Sequence, residues 1–344
     1  MLPPMKLFGT SAFIFWRHAA SAAGETCAKQ SPRRYAKELC AACGRVFESG
    51  FSTGSSKGGI AALDADALAA ACRDADGVLH GEVSRASARR ANPYRGDGVF
   101  EHVRTASLSS SYWLRACFDY EVPVPELCFL QMAAQVPLLD LIALGMELVG
   151  AYSVVPNGDG KIVSRPPLAT LASLESLLGK AGSVHGAKRA RRALNFMAEG
   201  AASPQEARLY LLLCLPVKMG GYGLAPARLN ARIDTNASGG VDPARRYRVC
   251  DLYWPDRQVA VEYDSDAFHV GADRIAADSI RRTALATKGI RVVTITNAQM
   301  KSNLLMNQAV SALCRELGVR KHRCSRDWDA ERAGLRKVLF SDFL

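Results

Sequence analysis

Apolar residues recur at spacings of three and four along much of the first two-thirds of the chain, then switch to alternation beyond residue 245. A period near 3.6 marks helices and a period of two marks half-buried strands. Residues 1–80 read as helical and alanine-rich, with a Gly/Ser break at Gly50–Gly59 and a short helix over Asp64–Ala71. From about 80 to 160 short β-like runs surround an arginine-rich loop, Arg85–Arg95, and Phe100–Val103 follows it. Pro125 opens a helical block with Leu127, Leu130 and Ala134 on one face. Pro137 breaks that block, and a second apolar helix continues to about Gly150. The Gly- and Pro-rich stretch Pro156–Pro167 closes the unit.

Two further helices are expected around Leu168–Lys180 and Ala187–Glu199, the second ended by Gly200. Ser203 then offers an N-cap and Pro204 a first helical position. Tyr247–Trp254 and Gln258–Asp264 alternate as two strands joined by the turn Pro255-Asp256-Arg257. A helix over about Asp273–Lys288, a Gly289 cap, a strand at Arg291–Thr296 and a helix over Ser302–Leu317 complete the order. Helices interleaved with strands in this way predict an α/β sheet covered by helices, preceded by a mainly helical α+β region.

Length, charge and cysteines narrow the class. At 344 residues the chain suggests about two domains, at roughly 100–200 residues each. Its mean hydropathy is −0.02, and no window holds the ~18 uncharged apolar residues of a membrane span. Lys6, the apolar stretch Leu7–Trp16 and Ala20-Ser21-Ala22 imitate an export signal. Gly9, Thr10, Ser11, Arg17 and His18 interrupt the imitation, so a buried first helix is expected instead. Ten cysteines without a regular frame predict reduced thiols in a cytoplasmic protein. Cys40-x-x-Cys43 has zinc spacing, but no second pair completes it.

The net charge of +11 and a pI near 9.3 point toward polyanions. The excess is clustered in Arg85, Arg89, Arg90 and Arg95, in the KRARR segment Lys188–Arg192, and in Arg320, Lys321, Arg323 and Arg326. Each cluster reads equally as a solvated helix face or as a set of phosphate contacts.

Acidic residues supply candidate chemistry. Alternation along Gln258–Asp264 puts Glu262 and Asp264 on one face, ~7 Å apart at the strand rise. The preceding strand carries Asp251 within an apolar and aromatic run. Crowded carboxylates repel unless a cation neutralises them, and hard dications take oxygen ligands. Glu206 shares a helix face with Leu209, Tyr210 and Leu213. It reads either as a fourth member of that acidic group or as a capping-box partner of Ser203. On the next helix Asp278, Arg281 and Arg282 form either an ion-pair network or a phosphate clamp.

The stretch CDLYWPDRQVAVEYDSDAFHV from Cys250 to Val270, followed by Asp278, Arg281-Arg282, Leu285, Gly289 and Val292, resembles the Vsr-like endonuclease domains of the PD-(D/E)XK nuclease superfamily. The match spans about residues 203–300: a helix glutamate (Glu206), a strand aspartate (Asp251), an E-x-D strand (Glu262, Asp264), a following histidine (His269) and a D-x-x-R helix (Asp278 to Arg281). Upstream, VPELCFLQMAA from Val124 to Ala134 more loosely resembles the part of AbiEi-type abortive-infection proteins that precedes such domains.

The resemblance implies a restriction-endonuclease-like mixed sheet flanked by helices. The expected organisation is a helical region over 1–80, an AbiEi-like α+β region over 81–160, a helical connector over 161–200, a nuclease domain over 201–320 and a basic tail over 321–344. It also implies a DNA endonuclease using Mg²⁺ or Mn²⁺, in a phage-defence or toxin–antitoxin setting with a partner protein. Asp251, Glu262 and Asp264 would be the metal ligands, with Glu206 and His269 joining them in catalysis. Arg281, Arg282, Lys188, Arg189, Arg191, Arg192, Arg89 and Arg90 would contact DNA. The superfamily's lysine is replaced by Asp264, which leaves the cationic role open among Lys288, Arg281 and His269. It also keeps a second reading in play, a catalytically inactive DNA-binding or antitoxin-like regulator. Oligomeric state is not encoded in these motifs.

Overall fold

A computed structural model describes residues 5–23, 31–49, 79–84, 95–96, 99–104, 109–115, 120–155, 161–234, 247–264, 282–320 and 328–341. The expected Gly50–Gly59 break, the Asp64–Ala71 helix and most of the Arg85–Arg95 loop lie outside them. The described chain is mixed α/β and divides into two compact units, one up to Met197 and one over Ala198–Ser341. Among the described residues no helix is long and apolar enough to cross a membrane.

The first unit begins with strand β1 (Met5–Leu7) and helix α1 (Gly9–Ala23). Phe13, Phe15 and Trp16 are each 1% exposed, so the apolar N-terminal run is the core helix expected from its interruptions. Helix α2 (Pro32–Ser49) packs against it. β1 then pairs antiparallel with β2 (Leu79–Ser84) and parallel with β6 (Tyr120–Pro123). β3 (Arg95–Gly96), β4 (Val99–Arg104) and β5 (Trp113–Arg115) complete a six-stranded sheet in the order β3-β4-β2-β1-β6-β5.

Pro125 and Pro137 act as helix starters, as their missing N–H groups allow. Helix α3 runs Pro125–Gln135 and α4 runs Leu138–Val149. Gln131 and Gln135 of α3 accept from the Gly9 and Thr10 amides at 3.1 and 3.0 Å, capping a helix start that has no acidic residue of its own. Strands β7 (Tyr152–Val154) and β8 (Ile162–Ser164) form a hairpin, followed by α5 (Leu171–Ala181) and α6 (Ala187–Leu194). α6 ends five residues short of the expected Glu199, giving way to turns.

The second unit opens on α7 (Pro204–Cys214), with Ser203 as N-cap and Pro204 in the first turn, as the sequence predicts. Next come β9 (Arg228–Asp234), β10 (Tyr247–Trp254), β11 (Val259–Asp264) and β12 (Arg291–Thr296), with β12 beside β11 in the order β12-β11-β10-β9. The first three are antiparallel, whereas β12 runs parallel to β11. A parallel return needs a crossover; its described end, residues 282–286, is helical and Gly289 takes a positive φ of 73° after it. Helices α8 (Asn297–Lys301), α9 (Asn303–Leu317) and α10 (Trp328–Phe340) follow. The stretch read as a basic tail thus carries a packed helix. Trp328 donates to the Gly221 carbonyl at 3.2 Å and Arg332 to the Tyr222 hydroxyl at 2.8 Å. A Cβ on Gly220, whose φ is +86°, would lie 2.3 Å from the Glu331 carbonyl oxygen, so glycine is what lets α10 approach.

Candidate functional site

The carboxylates singled out in the sequence belong to three elements of the second unit. Glu206 lies in the first turn of α7 and closes a capping box: its amide donates to Ser203 Oγ at 3.2 Å, and that hydroxyl donates to Glu206 Oε1 at 2.9 Å. Its other oxygen accepts from the Ala202 amide at 2.8 Å and from Asn230 Nδ2. Both sequence readings of Glu206 therefore hold together. Burial pushes its pKa up most, the three hydrogen bonds oppose this, and the charge of Asp251 adds to the rise. Asp251 is close enough to be felt electrostatically.

Asp251 marks a fork in the sheet. The β10–β11 ladder runs from Trp254–Val259 to Leu252–Val261, and one more step would pair Asp251 with Glu262. There the side chain intervenes: Asp251 Oδ2 accepts the Tyr263 amide at 2.8 Å. β11 meanwhile stays paired with β12 through Asp264–Thr296. The β9–β10 register skips a rung at the same level, between Cys250–Ala231 and Leu252–Leu229. The residue facing Asp251 there is Asn230, with a φ of +46°, a conformation asparagine tolerates better than most. Its side chain bridges Glu206 and the Gly200 carbonyl, tying α7 to the fork.

Glu262 is half-buried, with Oε1 inaccessible, and pairs in register with Thr294. Arg282 Nη2 donates to Thr294 Oγ1 at 3.2 Å, which brings a guanidinium to the position opposite Glu262. Asp264 is half-buried beside Thr296. His269, Arg281, Arg89 and Arg90 lie outside the described residues. Among the described residues no group of three or more His, Cys, Asp or Glu side chains is gathered as a metal site.

The KRARR segment is α6 of the first unit, and two of its arginines serve the fold. Arg189 donates to the Ala133 and Val136 carbonyls at 2.9 and 2.7 Å, at the end of α3. Arg191 donates to Leu178 and Gly182 carbonyls at the end of α5. Cationic side chains at helix C-termini satisfy the last carbonyls. Lys188 and Arg192 are exposed.

Sequence reasoning passed over Asn230 and Thr294. Asn230 carries a legible signal, an asparagine among the alternating apolar positions Leu229, Ala231 and Ile233. Thr294 acquires its place only through parallel pairing with β11. No family model, curated protein or solved structure matches the chain.

Proposed function

We propose that residues 198–341 form a restriction-endonuclease-like domain of the Vsr-like, PD-(D/E)XK kind that hydrolyses DNA phosphodiester bonds with Mg²⁺ or Mn²⁺. The observation carrying this reading is the fork at Asp251, where carboxylates from α7, β10 and β11 come together as the strands part. A leading helix, three antiparallel strands and a parallel return strand suit that fold. The donors are carboxylate oxygens, the chemistry Mg²⁺ prefers. Mg²⁺ commonly uses only one or two carboxylates alongside water and substrate phosphate, so the residues fit a site held by Asp251 and Glu262. Asp264 would support it through water.

A bound dication would acidify a water and neutralise charge on the phosphoryl oxygens. The chain's own part is positioning. Asp251 is fixed by the Tyr263 amide, Glu206 by Ser203, Ala202 and Asn230, and Arg282 stands ready for a phosphate oxygen. The described cysteines stand as thiols, in keeping with a cytoplasmic setting. A phage-defence or toxin–antitoxin role with a partner protein rests on the upstream resemblance alone.

The test is plasmid nicking by the purified full chain in Mg²⁺ or Mn²⁺. Glu262→Gln and Asp251→Asn should each reduce the rate by about a hundredfold or more while the circular dichroism spectrum is retained. Nicking at the wild-type rate by both variants would refute the assigned site.

Two observations favour a second reading, a DNA-binding regulator without catalysis. Asp264 stands where the superfamily has lysine, and the described residues gather no three-ligand group. Calorimetry separates the two: no heat with Mg²⁺ or Mn²⁺, together with steeply salt-dependent DNA binding, would select the regulator.

A further inference from the structure

β9 is the last strand in the order of its sheet, and its outward face together with that of β10 is unusually built. Buried and accessible positions alternate along β10, with Arg248, Cys250, Leu252 and Trp254 inward. Tyr247, Val249, Asp251 and Tyr253 therefore share the outward face. Register places Arg232 opposite Val249 and Arg228 opposite Tyr253, and both arginines are exposed. The Arg232 guanidinium lies 3.4 Å from the centroid of the Tyr247 ring, and Tyr247 remains 41% exposed. Arg245 and Arg246 immediately precede Tyr247 in the chain.

We propose that this face, through Arg228, Arg232, Tyr247 and Tyr253, binds an unpaired stretch of nucleic acid and leads it to the fork at Asp251. The destination rests on the nuclease reading above; the binding face does not. Basic residues interleaved with aromatics suit a single strand, whose phosphates meet the arginines and whose bases stack on ring or guanidinium planes. A duplex keeps its base faces stacked internally. A four-stranded sheet, about 14 Å between its outer strands, is also too broad for a major groove about 12 Å wide. Charge argues for nucleic acid over a protein partner: the outward β10 face offers Val249 as its aliphatic residue, too little for a dry interface core. Asp234, in register with Tyr247, is an acid at the far end of the lane from Tyr253. Asp251 lies four residues from Tyr247, about 13 Å along an extended strand.

The experiment is fluorescence anisotropy of the full chain with a labelled 20-nucleotide strand and with the corresponding duplex, both in EDTA so that cleavage plays no part. The single strand should bind about tenfold or more tighter. Tyr247→Ala should weaken strand binding about five- to a hundredfold, in line with the loss of one stacked base. Tyr247→Phe should stay within about twofold. Arg232→Gln and Arg228→Gln should each lower the salt slope by about 0.7. An iodouridine-substituted strand should photo-cross-link to the peptide containing Tyr247.

Unchanged affinity in Tyr247→Ala and Arg232→Gln overturns the lane, as it would if the face served a protein instead. A duplex bound as tightly as the strand overturns the choice of unpaired substrate. Either result leaves the nuclease reading intact if Glu262→Gln still abolishes nicking. Conversely, a protein that binds the strand through Tyr247 yet never nicks DNA retains the lane and loses the catalysis.

Discussion

At Glu206 the start of a helix and the acidic cluster draw on the same side chain, and pH can separate the two roles. Burial holds its pKa above the ordinary carboxylate value of 4.5. The folded state therefore binds this proton more tightly than the unfolded chain does. The stabilisation is complete below that ordinary value and is lost as pH rises through the raised one. Glu206→Gln keeps a hydrogen-bonding amide in place without titrating. Between pH 4 and 7 the wild-type Tm should thus fall relative to that of the variant, by thermal denaturation at matched ionic strength. Parallel curves would mean that the capping bonds outweigh burial. The sequence displayed Glu206 because an acid on an apolar helix face is conspicuous. Glu147 is equally conspicuous within the apolar helix Leu138–Val149, yet its role stays hidden there, because its partner Arg17 lies 130 residues away.

Among elements, legibility follows the range of the interactions that fix them. β10 and β12 have the predicted bounds, since alternation and flanking turns are local. β9 shows the same alternation at Leu229, Ala231 and Ile233, but Arg228, Arg232 and Asp234 give it the look of a loop, and pairing with β10 is what makes it a strand. β1 is three residues long and exists through partners more than seventy residues away. α6 shows how a composition signal misleads. KRARR resembles a phosphate-binding patch, whereas Arg189 and Arg191 cap α3 and α5 and leave Lys188 and Arg192 to the solvent. Arg189→Gln and Arg191→Gln should each destabilise the protein by about 1–3 kcal/mol in urea denaturation, the scale for a lost charged hydrogen bond. Lys188→Gln and Arg192→Gln should leave stability within about 0.5 kcal/mol. If the latter pair also leaves DNA affinity unchanged, the whole segment is structural.

For the molecule as a whole, each unit has its own polar keystone. In the first, Arg17 and Glu147 form an ion pair at 2.7 Å, each about 95% buried, and Glu147 also accepts from Ser153 Oγ and the Val154 amide. Arg165 lies nearby, its pKa lowered to about 10 by burial and supported by the charge of Glu147. Removing one charge of such a set strands the others, at a cost of about 3–5 kcal/mol. In the second unit Asn230 links α7 to β9, and its loss leaves a half-buried carboxylate short of a donor, costing about 1–3 kcal/mol. Units with separate cores unfold separately unless a large interface couples them. Calorimetry of the full chain should then resolve two transitions. Glu147→Gln should lower one of them, and Asn230→Ala the other. A single transition shifted by both variants would show that residues 1–197 and 198–341 form one cooperative body. Nucleic-acid binding assigned to the second unit would then depend on the integrity of the first, and Glu147→Gln would weaken it despite lying in another sheet's neighbourhood. With two transitions, strand binding should survive heating past the Glu147-sensitive one if that melts first.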